Sequence, residues 1–477
     1  MDSSQLFRLL LHLGVLGGFL VLGQALRASL RIFQNLFLPA SIIGGAAALS
    51  LGPFGVNCIP AEAVKTWAAL PETLISVVFA CLLLGDKLPR LANIWEQAGA
   101  GVTFEYVQES AQWIIGLGVA ALVIAPIWGL HPSVGTIIEL GWSGGPGTAA
   151  GMAPVYRSFG HPEIAALGVA SATVGLIYSI VMGIILINYA ARKGYTSVLT
   201  SPGSFRAVGS SGLLRGGQAE PYGKATFENF AVDVMAIHLA VVLLCVVLGW
   251  AMRNAVGTLH PVLKAVPVFP YAMIAGLLVQ AVATGAGLDD LLDKGTVNRI
   301  SGMALEFLII AAVATLDVKL VISHFIPFTI LMLAVAAFEV WVTLWLGPKM
   351  YPRNWFECAM GDFGIMCGIA ASALMLTRIV DPENKTVALR VFAYKRPFSA
   401  PFIGGGIFTT IFILMSFQVG PWPVIGIWAG GLILSLALSK GGGWWSLSRP
   451  KVRLPENLVV RGTAAAVGSG ELNDENN

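Results

Sequence analysis

The sequence predicts an all-α membrane protein with about 11 transmembrane helices. These form two inverted five-helix repeats, each with a re-entrant hairpin, followed by an extra C-terminal helix. Three observations predict this fold class: a low charge content, a series of long apolar segments, and two glycine-rich segments in corresponding places of the two halves. Of the 477 residues, 56% are hydrophobic and 12% are charged, whereas soluble domains carry about 25% charged residues. The expected environment is a lipid bilayer, and the net charge of +3 indicates no nucleic-acid partner.

The long apolar segments set the number of spans. A helix needs about 20 mostly apolar residues to cross the hydrocarbon core of a bilayer. The predicted spans are residues 5–26, 34–53, 67–85, 108–130, 162–191, 229–252, 266–285, 302–323, 325–347, 397–418 and 420–439. The second and seventh of these are short and contain Pro39 and Pro270.

Two further segments fit no simple span. Residues 133–157 and 354–376 are too short for two spans, and glycines interrupt both of them too often for one stable helix. Such backbone is tolerated at membrane depth only where protein or a water-filled cavity satisfies its polar groups. We therefore predict re-entrant hairpins near 133–157 and near 354–376.

The lysines and arginines predict the orientation. With the N-terminus outside, 23 of them fall on the cytoplasmic side and six outside, out of 29, as the positive-inside rule requires. The chain then divides into a first repeat (1–191), a cytoplasmic linker (192–228), a second repeat (229–418), an extra transmembrane helix (419–440) and a cytoplasmic tail (441–477). The expected location is the cell membrane, which is the inner membrane if the protein is bacterial.

The two halves contain three similar motifs in the same order. LFLPASIIGG (36–45) resembles PVFPYAMIAG (267–276), ACLLLGDKL (80–88) resembles AVATLDVKL (312–320), and SGGPGTAAG (143–151) resembles MGDFGIMCG (360–368). The last pair aligns Gly144 with Gly361. Each half has an odd number of spans, so the second repeat is inverted relative to the first. Inverted repeats with broken helices that meet near the midplane are typical of secondary transporters.

The tips of the two hairpins are the candidate binding site. Free amides there hold a carboxylate, and free carbonyls hold a cation. Ser143 and Thr148 flank the first tip and offer hydroxyl groups. Asp362 lies at the second predicted tip, where it is either a ligand for sodium or a substrate ammonium, or a cap for the hairpin amides. The alternative is that the glycines form only a packing surface between helices.

Other ionisable residues have two interpretations each. Asp317 ends the eighth span beside a lysine, which is typical of an interfacial pair. Lys395 and Arg396 either anchor a helix end at the interface or, if that helix begins near residue 386, lie deeper and attract a carboxylate. Glu306 and Glu339 lie within apolar runs, where they are polar packing groups or sites for a proton or cation.

The chain resembles the glutamate:sodium symporter family over about residues 5 to 418. The resemblance rests on the proline and double glycine of LFLPASIIGG, on SGGPGTAAG, on ATVGLIYSIVMG (172–183) and on GDFGIMCGIAASALM. The family is similar in layout to the 2-hydroxycarboxylate carriers, in which paired hairpins carry GGxG motifs that form the substrate and sodium site. The first motif matches at Gly144, Gly145, Pro146 and Gly147, and the second departs from it at Asp362.

The resemblance implies sodium-coupled symport, not antiport, of glutamate or a related carboxylate by an elevator-like movement. It also implies a homodimer, sodium as the coupling ion and no other cofactor. A proton-coupled carrier, an exporter and a channel for another small organic anion are the alternatives. An enzyme is not expected, because the chain has no HExxH and no GxSxG on a strand-to-helix turn. The expected substrate-binding residues are Ser143, Gly144, Gly145, Gly147, Thr148, Gly361, Asp362 and Gly364, and the expected sodium ligands are Gly144, Asp362 and Asp317.

Overall fold

The computed structural model describes residues 2–35, 38–53, 55–85, 91–198, 226, 232–258, 266–382 and 385–445. Within these ranges every regular element is helical and no strand occurs, which confirms the all-α class. Most of the predicted linker (192–228) and most of the predicted tail (441–477) lie outside the described residues.

The helices follow one another along the chain with short connections. They are α1 (Ser3–Ser29), α2 (Arg31–Asn35), α3 (Ala40–Leu51), α4 (Ala61–Ala80), α5 (Leu91–Val119), α6 (Gly145–Ser158), α7 (Pro162–Lys193), α8 (Val234–Gly257), α9 (Val268–Gly285), α10 (Lys294–Ala314), α11 (Val318–Ser323), α12 (Phe325–Trp341), α13 (Trp355–Met366), α14 (Ala370–Val380), α15 (Ala388–Ser399), α16 (Ile407–Gln418) and α17 (Pro421–Gly441).

These helices pack as two bodies. The first, called the scaffold here, consists of α1, α3, α4, α8, α9 and α10, which contact one another around small apolar clusters. The second, called the core, consists of α5 to α7 and α12 to α17 and contains the largest apolar cluster. The helix α6 contacts both α4 and α10, so the boundary between the two bodies runs along it.

Nine helices in the described part of the chain are long and apolar enough to cross a membrane. Each coincides with a predicted span, and α17 is the predicted extra helix. The predicted spans 34–53 and 397–418, however, are not single helices of spanning length. The helix α3 has only 12 residues, because Pro39 precedes its first turn and Gly52 ends it. The other span is divided into α15 and α16 by a break at 400–406.

The chain reverses within both segments predicted as hairpins. In the first, a short 3₁₀ helix (Pro132–Thr136) and a π-helical turn (Glu139–Ser143) precede α6. The hydroxyls of Thr136 and Tyr156 are 2.7 Å apart, which requires the chain to turn back between them. In the second, α13 packs along α14, and a Cβ atom placed on Gly364 would lie 2.4 Å from the Cα atom of Ala373.

A π-helical turn precedes each of these hairpins. The helix α5 continues through Ala120–Ile124 into Ala125–Trp128, and α12 continues through Val342–Leu346 into Gly347–Met350. The two π turns begin at positions 120 and 342, an interval of 222 residues. The same interval carries Gly145 onto Cys367. The structure thus differs from the sequence alignment that paired Gly144 with Gly361.

Candidate functional site

Three interruptions of helical structure lie next to one another in the core. A Cβ atom placed on Gly145 would lie 3.1 Å from Ile369 Cγ2 and 3.5 Å from the carbonyl oxygen of Gly368. A Cβ atom placed on Gly404 would lie 3.1 Å from the carbonyl oxygen of Ser143. The chain therefore brings together backbone from three separate places, at 144–145, 367–369 and 400–406.

The first interruption is the tip of the first hairpin, as the sequence predicts. Gly145 has a φ of +75°, in the left-handed region that favours glycine. Thr148 Oγ1 donates to the Gly144 carbonyl oxygen at 2.9 Å, and Ser143 Oγ donates to Glu109 Oε2 at 2.8 Å. The first amides of α6 have no acceptor within the helix, so this tip presents backbone donors.

The second interruption is not where the sequence pattern predicts it. Gly361, Asp362 and Gly364 lie inside α13, whereas the break follows Met366. The predicted tip at Gly361 and Asp362 is therefore wrong by about one and a half helical turns. These two glycines have a packing role, because they let α13 approach α14: a Cβ atom on Gly361 would lie 3.2 Å from the Thr377 hydroxyl oxygen.

The third interruption was not predicted from the sequence, in which 397–418 has the character of one helix. Gly404 and Gly405 have φ angles of +62° and +96°. A Cβ atom on Gly405 would lie 2.2 Å from Thr148 Oγ1, so only glycine fits against the first tip. The run of three glycines at 404–406 is the signal that could have predicted this break.

A buried ion cluster ties the second hairpin to α5 and α15. Lys395 Nζ pairs with Asp362 and lies 3.2 Å from Glu105 Oε2, while Arg396 lies 3.0 Å from Glu105 Oε1. Tyr351 donates its hydroxyl to Asp362. Lys395 is only 1% exposed. Since α15 begins at Ala388, the deeper of the two predicted positions for Lys395 is confirmed, and the interfacial one is wrong.

A pair of buried glutamates lies beneath the first and third interruptions. Glu109 accepts from Ser143 and from Trp113 Nε1, the latter at 3.1 Å. Glu139 accepts from Thr409, whose hydroxyl also binds the amide of Gly405 at 2.9 Å. The two carboxylates interact directly with each other. The site therefore contains acidic groups as well as backbone donors.

A third polar group lies between α5 and α12, next to the second interruption. Gln108 and Gln112 each donate to the Glu339 carboxylate at 2.8 Å. Gln112 Nε2 also donates to the carbonyl oxygen of Met366 at 2.8 Å. The polar residues of α5 were not predicted as site residues, although their spacing of three and four residues places them on one helix face. They are Glu105, Gln108, Glu109 and Gln112, all fully buried.

This arrangement agrees with the comparison with known protein families. The model of a family described as sodium/glutamate symporter matches residues 10–360, more than half of the chain. The chain belongs to the sodium/glutamate symporter family. The expectation drawn from the sequence resemblance is thereby confirmed, and the protein is a multi-pass membrane transporter. No curated protein sequence matches the chain.

The family match covers less of the transporter than the resemblance drawn from the sequence, which extended to about residue 418. It ends at Met360, before Asp362 and before the second interruption. The first tip, the polar face of α5 and Glu339 lie inside the matched range, whereas Lys395 and the third interruption lie beyond it. The latter two features are therefore supported by the structure alone.

Two of the predicted site residues lie away from the three interruptions of the transporter. Gly147 faces the scaffold, where a Cβ atom would lie 3.0 Å from Leu305 Cδ1 and 3.6 Å from Ile75 Cδ1. Asp317 caps α11 by accepting from the amides of Lys319 and Leu320. A sodium-binding role for Gly144, Asp362 and Asp317 stays a prediction, and Asp362 already has Lys395 as its counter-charge.

Two cavities of the transporter carry charged residues at their walls. One, of about 230 Å³, lies between the two bodies and is lined in part by Arg157 and Asp317. The other, of about 510 Å³, is lined in part by Tyr351, Arg353 and Arg390. Because Tyr351 donates to Asp362, the larger cavity adjoins the buried ion cluster. Its arginines make it suitable for an anion.

Proposed function

We propose that this transporter couples the inward movement of sodium to that of glutamate or a related carboxylate. The single observation that carries the proposal is the meeting of three helix interruptions at Gly145, Gly368 and Gly404 within the core. Broken helices supply unpaired amides for an anion and unpaired carbonyls for a cation at the same place. The family membership supports the choice of glutamate and sodium.

The substrate is bound, in this proposal, between the first tip and the third interruption. The amides that follow Gly144 and Gly145 hold a substrate carboxylate, helped by the hydroxyls of Ser143 and Thr148. The positive end of the α6 dipole favours an anion at this position. The carbonyl oxygens at the second interruption and the glutamate pair Glu109 and Glu139 suit the ammonium group. Gly361 and Gly364 contribute by packing of the second hairpin.

Transport proceeds, in this proposal, by an elevator-like movement of the core against the scaffold. The boundary along α6 supports such a movement because small residues line it: the cavity there is formed in part by Ala68, Ala150, Ala153 and Ala312. A boundary without large interlocking side chains allows one body to slide past the other. A homodimer held through the scaffold, with the N-terminus outside, completes the proposal.

Uptake into proteoliposomes tests this function directly. Labelled glutamate, aspartate and dicarboxylates are offered under a sodium gradient, a proton gradient or neither. We expect saturable uptake of glutamate that requires the sodium gradient. Uptake driven by the proton gradient alone would support a proton-coupled carrier instead, and large unitary currents would support a channel. If no carboxylate accumulates under either gradient, the proposed function is wrong.

A variant of the third interruption provides the matched control. Gly405→Ala places a methyl group against Thr148 at a backbone conformation that disfavours alanine, so uptake is expected to be lost. Gly430→Ala in α17 meets no atom within 4 Å and is expected to transport as the unaltered protein does. Equal uptake by both variants would show that the third interruption is not part of the binding site.

A further inference from the structure

Glu339 is a buried carboxylate without a counter-charge. It is 0% exposed, and within the described part of the chain no lysine, arginine or histidine forms an ion pair with it. The groups that interact with it electrostatically include Glu109, Tyr178, Asp362 and Cys367, none of which is a base. A charge in such a place is costly unless a partner neutralises it.

The carboxylate is surrounded by oxygen atoms that lack hydrogen bonds. Gln108 and Gln112 present their NH₂ groups to Glu339, but the Oε1 atom of each is buried and has no partner in the described structure. The hydroxyl oxygen of Thr343, one helical turn after Glu339, is likewise buried and unpartnered. Buried polar atoms are normally satisfied, so three unsatisfied acceptors around one carboxylate indicate a missing ligand.

The end of α13 adds a further acceptor at this place. The carbonyl oxygen of Met366, the last residue of α13, accepts from Gln112 at 2.8 Å. The C-terminal end of a helix carries a partial negative charge, which favours a cation. Carboxylate, amide, hydroxyl and carbonyl oxygens are together the ligand set of a hard cation.

We propose that Glu339, Thr343 and the two glutamines Gln108 and Gln112 form a sodium-binding site between α5 and α12. This inference rests on the proposed function in taking sodium as the coupling ion. When the ion binds Glu339, a half turn of each glutamine amide presents Oε1 in place of the NH₂ group. Gln112 then releases the Met366 carbonyl, which becomes free to face the ion.

The position of this site provides a physical basis for coupling. The bond between Gln112 and Met366 ends where the second interruption begins, at Cys367. Rearrangement at Gln112 therefore acts directly on the backbone that lies against Gly145 of the first tip. Sodium binding organises the second interruption before the carboxylate is bound.

The experiment measures sodium binding without substrate. The full chain is purified in detergent, and the unfolding temperature is followed while sodium chloride replaces choline chloride at constant ionic strength. A ligand that binds only the folded state raises this temperature. We expect a sodium-dependent rise for the unaltered protein and none for Glu339→Gln. Thr343→Val removes only one hydroxyl, so it should raise the half-saturating sodium concentration by about tenfold or more.

Glu357→Gln is the matched control. Glu357 is also a fully buried carboxylate on the second hairpin, but it lies at the other end of α13 and accepts from Ser197. Its variant should keep the sodium response of the unaltered protein. If Glu339→Gln does not fold in choline chloride, the half-saturating concentration of Thr343→Val decides the question.

Two results would overturn the proposed site. One is the absence of any sodium-dependent rise in the unaltered protein. The other is an unchanged half-saturating concentration in folded Glu339→Gln or in Thr343→Val. A failure of glutamate uptake has a different meaning: with a sodium response that depends on Glu339, it would remove glutamate symport as the function and uphold the site.

Discussion

Replacement of Lys395 by methionine tests the buried ion cluster. Lys395, Asp362 and Glu105 are each at most 1% exposed, and the cluster contains two acids and, with Arg396, two bases. Lys395→Met removes one positive charge and leaves one carboxylate buried without a partner. Breaking a buried pair in this way costs about 3–5 kcal/mol. We expect the free energy of unfolding to fall by that amount.

A second substitution should recover much of this loss. Asp362→Asn in the Lys395→Met background restores the charge balance, because Glu105 keeps Arg396 at 3.0 Å. Tyr351, which donates to Asp362, keeps an acceptor in the asparagine oxygen. We expect the double variant to be more stable than Lys395→Met by about 2 kcal/mol or more, since the two changes remove a pair and not one member of it.

The assay is unfolding in detergent micelles, followed by the fluorescence of the 13 tryptophans. Lys349→Met is the control, because Lys349 lies over the ring of Trp345 outside the cluster. Its loss should cost less than about 1 kcal/mol. The reasoning is refuted if Lys395→Met unfolds like the control, or if Asp362→Asn destabilises the Lys395→Met protein further.

Three other predictions concern glycines and one histidine. Gly405→Ala should lower the free energy of unfolding by about 2 kcal/mol or more, measured by the same assay, because alanine is strained at a φ of +96° and meets Thr148. Gly147→Ala should fold normally, since the flexible end of Leu305 is the nearest atom, but should slow uptake by roughening the boundary with the scaffold; unchanged uptake would contradict this. Burial lowers the pKa of His131 below 6.5, so the unfolded chain binds more protons and stability should fall as the pH drops through about 6.5. The unfolding temperature measured from pH 7.5 to 5.5 should show this loss, and His131→Phe should reduce it.

The spans were predictable because their signal is local. Nine predicted spans coincide with helices of spanning length, since a run of apolar residues long enough to cross a bilayer seldom occurs outside a transmembrane helix. The first tip was predictable for a similar reason, because Gly144, Gly145 and Pro146 follow one another directly. Apolar length alone misleads at α3, where Pro39 and Gly52 leave only 12 residues of helix.

The second tip was misplaced because glycine has two roles in membrane helices. It allows positive φ at a break, and it allows two helices to approach closely. Gly361 and Gly364 have the second role, against α14. The break itself is marked by Ser372, whose hydroxyl accepts from the Ile369 amide and so starts α14. A serine cap of this kind is a weaker signal in sequence than a group of glycines.

The charged centre was only partly predictable. The deep position of Lys395 followed from an early start of its helix, which the sequence left open. The partners of Glu339 required the packing of α5 against α12, and no local pattern places those two helices together. Glu105 and Asp362 lie in different repeats, so their common contact with Lys395 is likewise a consequence of tertiary structure.

The π turns have a consequence for variation in this family. A π turn is an α-helix that carries one additional residue, so deletion of one residue within Ala120–Ile124 would restore ordinary helical geometry. Every residue beyond it would then rotate by about 100° about the helix axis, and the first hairpin would enter the core with a different face inward. Insertions and deletions should therefore be tolerated in the connections between helices but excluded from these five positions and from Val342–Leu346.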